Sequence, residues 1–366
     1  MWLSSSSVGR KFVMALTGAV LVLFVTFHCL MNAVAIFWPA AYNSVCMFLG
    51  ANWYALVASA GLALFIIVHI IYAVMLTLQN RRARGHERYA ISHRPKNVEW
   101  SSQNMFVLGI VILAFLVVHM IQFWAKMQLV EVLGCETAIP ATAGTLFLQE
   151  AFSQVWTPIV YIIAFVALWF HLNHGFWSMF QSVGWDNTAW IPRLKCIGNW
   201  WVSIVIALFI AEAIVFTVNA HKDYYKTDEA LQQQYISMLA PEVLKDFGPD
   251  AVQQISNMPL PQLRQMIEYQ MMQLQNPQLL MMYPTMPEEQ KTNVRNSVKA
   301  FTHLQNFLNY LDGVPAIEIN LPEDGAAVAP AAPAQGAMQQ AAPAGAAEEV
   351  EAVEEVAPAE QPANNQ

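Results

Sequence analysis

The chain has 366 residues, of which 56% are hydrophobic and only 12% are charged. That charged fraction is roughly half the average for soluble domains, so the composition excludes an ordinary soluble enzyme and favours a protein whose main solvent is a lipid bilayer. Residues 1–222 carry twelve Lys/Arg and seven Asp/Glu, whereas residues 223–366 carry six and nineteen. We therefore expect a mildly basic membrane domain followed by an acidic, polar region, with no nucleic-acid partner.

Five stretches of the first domain are long and apolar enough to cross a bilayer. Four contain no charged residue, and the fifth is interrupted only by Glu212. A helix of about 20 residues spans the hydrocarbon core and satisfies its own backbone hydrogen bonds. The sequence thus predicts an all-α membrane domain over residues 1–222, with five transmembrane helices. The predicted spans are residues 12–37, 53–80, 100–125, 151–181 and 197–220.

The basic residues predict the orientation of these spans. Ten Lys/Arg lie at the N-terminus or in the second and fourth connections, whereas only Lys126 and Lys222 lie at the opposite ends. By the positive-inside rule the N-terminus is cytoplasmic. Five crossings then place the C-terminal region on the periplasmic side of a bacterial inner membrane.

Each of the first four spans contains one histidine in apolar surroundings: His28, His69, His119 and His171. Ionisable groups at such depth are costly and are candidates for function. At a rise of 1.5 Å per residue, His28 lies about 25 Å from the cytoplasmic end of its helix, and His119 is similarly remote. His69 and His171 lie about 18 Å and 22 Å from the cytoplasmic ends of theirs. Depth therefore predicts an outer pair, His28 with His119, and an inner pair, His69 with His171.

Two pairs at two depths suit two haem irons, because each iron takes one imidazole on either face of its macrocycle. The first four helices would then form a di-haem core, with the fifth helix beside it. The alternative is that the four histidines are structural and hydrogen-bonded across helices. A zinc site would instead bring its ligands to one depth, against the separation expected here.

Three segments resemble the cytochrome b558-type subunit of succinate dehydrogenases and fumarate reductases, in its five-span, single-chain form. They are S-V-G-R-K-F-V-M-A-L-T-G at Ser7–Gly18, the run from His69 to N-R-R-A-R at Asn80–Arg84, and H-L-N-H-G-F-W-S at His171–Ser178. The last segment fits the family pattern H-x-x-x-G-x-W-S, which selects His171 rather than His174 as the ligand. The resemblance covers roughly residues 5–220.

The resemblance implies a membrane subunit of a succinate:quinone or quinol:fumarate oxidoreductase. It implies a partner flavoprotein with FAD and a partner iron–sulfur subunit, both on the cytoplasmic face. Electrons would pass between the iron–sulfur partner, the inner haem, the outer haem and a quinone, expected to be menaquinone. This chain has neither a Gly-rich dinucleotide loop nor a cysteine cluster, so the dicarboxylate chemistry is assigned to the partners.

Proton transfer and haem propionates suggest further candidates. Quinone chemistry needs protons, and Glu212 is the clearest intramembrane carboxyl for a proton relay, although a structural carboxyl fits equally well. Three basic residues are candidates for propionate contacts, with topology anchoring as the alternative: Lys11, Arg81 and Arg193.

The chain also departs from the family pattern around the quinone. The connection at residues 38–52 has no acid, and Trp169 stands two residues before His171, which leaves the quinone site open. Weaker polar candidates for it are Asn32, Gln122 and Glu150. Cys46 and Cys135 both fall in outer connections, where a disulfide between them is one alternative.

The C-terminal region divides into two parts. Residues 223–316 show helix-like apolar recurrence interrupted by prolines, which predicts a polar extension of short helices. It forms either a small domain or a set of partner-binding helices. Residues 317–366 are rich in Ala, Pro and Glu and carry no Lys or Arg, which predicts a disordered tail.

Two rival functions remain open. One is the di-haem cytochrome b subunit of another quinone oxidoreductase, of the nitrate reductase or hydrogenase type, although those tend to concentrate their histidines on fewer helices. The other is a haem-free transporter or assembly scaffold with structural histidines.

Overall fold

In the computed structural model, residues 6–50, 52–84 and 99–322 are described, and the regular elements among them are helices. The first seven are α1 (Ser7–Phe37), α2 (Pro39–Phe48), α3 (Trp53–Arg84), α4 (Trp100–His119), α5 (Gly144–Phe152), α6 (Trp156–Ser182) and α7 (Trp190–His221). Helix α4 is prolonged by a π-helical segment, Met120–Leu129, and a last α-helical turn, Val130–Leu133. Five of these elements are long and apolar enough to cross a membrane, namely α1, α3, α4 with its prolongation, α6 and α7. The predicted all-α membrane fold is therefore confirmed.

Local chemistry sets the ends of the first helix. At its start, the Ser6 side chain accepts a hydrogen bond from the Gly9 backbone nitrogen at 2.9 Å, which satisfies an otherwise unpaired donor. At its end, Pro39 disfavours the helical conformation at Trp38, where φ is −149°. Pro39 then occupies the first turn of α2, where its missing N–H has no cost.

The fourth predicted span begins too early in the chain. Residues 151 and 152 belong to α5, and the membrane helix α6 starts only at Trp156. Most of α5 is buried within the protein, including Leu146, Phe147 and Leu148. Because an apolar run buried by protein has the same hydropathy as one buried by lipid, the predicted span starts directly after Glu150 and includes the last two residues of α5.

The membrane helices differ in how much of their surface the protein covers. Helix α7 buries a long series of side chains, among them Val202, Phe209 and Phe216, and it packs against α1 and α6. Helix α4, in contrast, buries only Leu108. Many apolar side chains on α3 and α4 are exposed at the protein surface, as expected of lipid-facing helices.

We name the two ends of the bundle by what they carry. The N-terminal end holds the start of α1, the end of α3, the start of α4, the end of α6 and the start of α7. The extension end holds α2, α5 and the polar extension, which follows α7 directly.

The polar extension is a folded layer of short helices. They are α8 (Tyr224–Thr227), α9 (Glu229–Val243), α10 (Pro249–Asn257), α11 (Leu260–Leu274), α12 (Pro277–Met282) and α13 (Glu288–Asp312). Prolines stand in the first turns of α10, α11 and α12, where they start helices without breaking a hydrogen bond. The apolar sides of α9, α11 and α13 form a core that includes Tyr235, Leu263 and Phe307.

The extension docks on the bundle instead of hanging free from it. One hydrophobic cluster runs from α1, α6 and α7 through α5 into the extension. Hydrogen bonds cross the same boundary: the Thr145 hydroxyl of α5 contacts the Tyr235 hydroxyl of α9 at 2.8 Å, and Asn43 Nδ2 of α2 donates to Gln234 Oε1 of α9 at 3.0 Å. Packing continues past the predicted boundary at residue 316, because Asn306 and the Ile317 backbone exchange two hydrogen bonds. The predicted tail from residue 323 onward lies outside the described residues.

Candidate functional site

The four intramembrane histidines come together as two pairs on four different helices. The rings of His28 on α1 and His119 on α4 have centroids 5.7 Å apart with planes at 90°. Those of His69 on α3 and His171 on α6 have centroids 6.4 Å apart with planes at 62°. We call these the α1–α4 pair and the α3–α6 pair. These are the two pairs that were predicted from the depth of each histidine along its helix.

The separation of the rings suits one metal ion between each pair. An imidazole nitrogen binds a transition metal at about 2 Å, and the ring centroid lies roughly 1 Å further out, so two imidazoles on opposite sides of one ion have centroids about 6 Å apart. The observed 5.7 Å and 6.4 Å bracket that value. Among the described residues, no larger group of three or more His, Cys, Asp and Glu side chains is placed to hold a metal ion.

A hydrogen-bonded chain orients His119. Its Nδ1 lies 3.1 Å from the hydroxyl of Tyr161, and that hydroxyl donates its only hydrogen to Gln122 Oε1 at 2.9 Å. Gln122 Nε2 in turn donates to Thr157 Oγ1 at 3.2 Å. Because the Tyr161 hydrogen is already used, its oxygen accepts from His119 Nδ1–H. This tautomer leaves the Nε2 lone pair of His119 free to bind a metal.

His69 is held in the same tautomer by a different group. Thr17 Oγ1 donates to the backbone oxygen of Val13 at 2.9 Å and lies 3.1 Å from His69 Nδ1. The threonine oxygen therefore accepts from Nδ1–H, and Nε2 again keeps its lone pair. Neither Thr17 nor Tyr161 was singled out from the sequence, because nothing in the pattern of a span tells which hydroxyl faces which histidine.

Two glycines line the α3–α6 pair. A Cβ added to Gly18 of α1 would lie 3.7 Å from Cε1 of His69, and one added to Gly109 of α4 would lie 4.0 Å from Cε1 of His171. Larger side chains at these positions would fill the space beside the rings. His171 Nδ1 is also buried without a hydrogen-bond partner among the described residues. The two glycines thus leave space beside this pair, and one of its ring nitrogens has no hydrogen-bond partner among the described residues.

The two pairs lie at different levels of the bundle. Gly18 and Gly109 face the α3–α6 pair, and each precedes a histidine of the α1–α4 pair by ten residues on the same helix. Ten residues of helix rise about 15 Å, so both α1 and α4 give the same spacing between the pairs. The α3–α6 pair is the one nearer the N-terminal end.

Glu212 lies beside the α1–α4 pair but does not bond to it. Its side chain is 4% exposed, and the thiol of Cys29, the neighbour of His28 in the chain, lies 3.8 Å from its Oε1. Burial raises the pKa of Tyr42 in α2 well above its ordinary range, and the neighbouring Cys46 and Glu212 raise it further. Tyr42 therefore stays protonated. A role for Glu212 in proton transfer stays a prediction from the sequence.

The predicted propionate ligands lie at the N-terminal end. Lys11, Arg81 and Arg193 are all exposed. The guanidinium of Arg81 lies 5.6 Å from the ring centre of Phe106, and that of Arg193 lies 5.5 Å from that of Trp190. These contacts anchor both side chains at the end of the bundle, and their role toward a propionate stays a prediction.

A charged cluster at the same end was not foreseen from the sequence. Glu99 accepts a hydrogen bond from Lys195 at 2.7 Å and lies 3.5 Å from His174 Nδ1. Burial acts to raise the pKa of Glu99, but the hydrogen bonds from Lys195 and His174 outweigh it and lower that pKa. The cluster ties α4, α6 and α7 together one turn from His171. His174 is thus engaged with a carboxylate, whereas His171 faces His69.

The cysteines are free thiols. Cys46 is half-buried against Gly144 and Cys135 is exposed, and no disulfide joins them. Burial, only partly offset by hydrogen bonds from Tyr42 and Gly144, raises the pKa of Cys46 to about 12. That thiol is therefore unreactive at neutral pH.

No protein-family model matches this sequence, and neither a curated protein nor a solved structure shows significant similarity to it.

Proposed function

We propose that this chain is the membrane anchor and electron-transfer subunit of a succinate:quinone or quinol:fumarate oxidoreductase, with two b-type haems. The proposal rests on the four intramembrane histidines. They form two pairs at two levels of one helical bundle, and in each pair the ring separation suits one metal ion. The resemblance of the segment His171–Ser178 to the family motif supports this class of complex.

The residues present fit two bis-histidine haems. His28 and His119 would hold the iron of one haem, and His69 and His171 that of the other. Nδ1 of His69 and Nδ1 of His119 each make a hydrogen bond, so Nε2 of each ring is available to bind iron. Gly18 and Gly109 leave room beside the α3–α6 pair for a flat macrocycle. Bound there, the haems would supply one-electron transfer across the membrane.

The same proposal assigns partners to the two ends. The flavoprotein and iron–sulfur subunits would dock at the basic N-terminal end, on the cytoplasmic side. The α3–α6 pair would then be the inner haem site, and the α1–α4 pair the outer one, nearer the quinone. The polar extension would lie in the periplasm.

The direct test is a reduced-minus-oxidised absorption spectrum of the purified full-length protein with quantified haem. We expect the sharp alpha band of low-spin b-type haem and two haems per chain. Copurification of a flavin-containing and an iron–sulfur-containing subunit would specify the complex. A colourless protein would make the four histidines structural and overturn the proposal.

Conservative changes at the two hydroxyls should act on one haem each. Tyr161→Phe removes the acceptor for His119 Nδ1–H, and Thr17→Val removes that for His69. Loss of such partners typically lowers metal affinity about 10–100-fold. We expect faster haem loss to a haem-scavenging protein from the α1–α4 pair in Tyr161→Phe and from the α3–α6 pair in Thr17→Val. Each variant is the control for the other, and equal effects on both haems would contradict the assignment.

The orientation can be measured with single cysteines. Cys135 is exposed at the extension end and Cys196 at the N-terminal end, so the parent chain for labelling carries Cys196→Ser. In that parent, Asp186→Cys together with Cys135→Ser places a thiol between α6 and α7 at the N-terminal end. A membrane-impermeant maleimide added to spheroplasts is expected to label Cys135 in the parent chain and to label position 186 only after lysis. The reverse pattern would invert the proposed topology.

A further inference from the structure

A cleft of about 620 Å³ opens at the extension end, between the π-helical segment of α4, the start of α6, α5 and the extension. Its volume is in the range of pockets that hold small ligands. The side chains of Ile121 and Trp156 line it and are 61% and 47% exposed. Charged side chains line the cleft as well, among them Lys226 and the Lys126–Glu150 ion pair, whose charged atoms are 2.8 Å apart, so the cleft has an apolar and a charged side.

Polar groups at the other side of the cleft lack partners. The Tyr310 hydroxyl of α13 and Gln149 Oε1 of α5 are buried without a hydrogen-bond partner among the described residues, and both residues line the cleft. Gln149 is 3% exposed, and its Nε2 donates to the Ala220 backbone oxygen and to Asp223. Buried polar groups in native proteins are nearly always paired, so unpaired ones indicate a missing partner.

The cleft is connected to the α1–α4 pair. Gln122 lines it and accepts the hydrogen bond of Tyr161, whose oxygen contacts His119. Gln122 and Lys126 lie on the π-helical segment that begins directly after His119. Segments of π-helix are rare and occur frequently at functional sites. One hydrogen-bonded step therefore separates the wall of the cleft from the side chain that contacts a candidate iron ligand.

We propose that this cleft binds the head group of a membrane quinone, an inference that rests on the proposed function. A quinone is a flat apolar ring with two carbonyl oxygens and an isoprenoid tail. Its carbonyls can accept hydrogen bonds from the Tyr310 hydroxyl and from the second N–H of Gln122 Nε2, and a hydroxyl of the reduced quinol can donate to Gln149 Oε1. Its tail leaves into the lipid past Ile121 and Trp156.

This site differs from one centred on Glu212. Glu212 does not line the cleft. The extension, through Tyr310, supplies part of the wall, which gives this otherwise unexplained region a role in binding. The occupant is assigned as the quinone because the cleft lies one hydrogen-bonded step from the side chain that contacts His119, where the proposed haem would exchange electrons. A phospholipid, whose ester carbonyls also accept hydrogen bonds, is the competing occupant in the test.

The test is photolabelling of the full-length protein in lipid nanodiscs with an azido-naphthoquinone that carries a short prenyl tail. Labelled peptides are identified by mass spectrometry, and affinity is measured by competition with unlabelled menaquinone. We expect saturable labelling of peptides that contain Gln122 or Tyr310. Ile121→Trp fills the mouth and should reduce labelling at least tenfold, whereas Ile110→Trp, also exposed on α4, should not.

A second variant tests the hydrogen bond. Tyr310→Phe is expected to weaken binding about fivefold, the effect of losing one neutral hydrogen bond. Tyr269→Phe, on an exposed tyrosine of α11 outside the cleft, should leave binding unchanged. Because the Tyr310 hydroxyl has no hydrogen-bond partner among the described residues, its removal should not unfold the protein.

Haem content is measured on every sample, so that the two proposals fail separately. Two haems per chain with labelling elsewhere, or labelling that a phospholipid displaces and menaquinone does not, would overturn the quinone site and leave the proposed function standing. Saturable labelling of the cleft in a haem-free protein would support the site and overturn the electron-transfer function.

Discussion

Replacing His171 by alanine is expected to reduce the haem content from two per chain to one. Each proposed iron has two protein ligands, and an iron that loses one of them no longer has an imidazole on both faces of its macrocycle. The remaining haem should be unaffected, because the other pair lies about 15 Å away along α4. Haem is quantified per chain by the pyridine haemochrome assay, and a redox titration shows whether one of two potentials disappears.

Double variants distinguish two pairs from four independent sites. His69→Ala with His171→Ala should lose no more haem than either single variant, because both histidines serve one iron. His28→Ala with His171→Ala should lose both haems. His174→Ala is the matched control one turn away and should keep two haems.

Retention of both haems by His171→Ala would contradict the pairing, and so would loss of both haems by a variant whose helical content is unchanged. Circular dichroism on the same samples separates ligand loss from unfolding.

The second large effect is expected from Phe307→Ala in the extension. Phe307 is 0% exposed and packs edge-on against Tyr235, with ring centroids 6.3 Å apart. Truncating a buried Phe typically costs about 3–5 kcal/mol, since it removes buried area and leaves a cavity. That is a large part of the stability of a small domain. We expect the extension to become sensitive to protease while the membrane helices remain protected by lipid.

Limited proteolysis in nanodiscs, followed by mass spectrometry, measures this effect. The matched control is Tyr269→Ala, because Tyr269 is 59% exposed, and this variant should be as resistant as the parent. Haem content should stay at two in both variants, because no histidine of either pair lies in the extension. Simultaneous loss of the haems and of protease resistance would mean that the extension and the bundle fold as one cooperative unit.

The hydrophobic cluster is continuous from the membrane helices into the extension, so these two regions are in direct contact. Tyr235 is fully buried where α9 meets α5, and its hydroxyl donates to the Tyr225 backbone oxygen at 2.8 Å. Burial raises the pKa of Tyr235 above its ordinary range, more than the hydrogen bond from Thr145 lowers it. The hydroxyl therefore remains a neutral hydrogen-bonding group throughout the physiological pH range.

The class of fold and the pairing of the four histidines are readable from the amino-acid sequence. Long uncharged runs are sufficient to predict membrane helices, because lipid penalises every unpaired polar group along them. The rise of a helix converts chain position into depth, so chain position alone pairs His28 with His119 and His69 with His171. Prolines at the starts of α10, α11 and α12 likewise predict short helices, since proline fits a first turn without the loss of a hydrogen bond; Pro241, inside α9, is an exception.

The contacts of the histidines and the position of the extension depend on tertiary packing. Which face of an apolar helix meets its neighbour is not encoded in its hydropathy, so Thr17 on His69 and Tyr161 on His119 were not predictable. For the same reason the predicted fourth span included the last two residues of α5. The docking of the extension depends on α5 and α9 meeting across 90 residues of chain, at Thr145 and Tyr235. Contacts so distant in sequence arise from shape and hydrogen-bond complementarity, which no local pattern records.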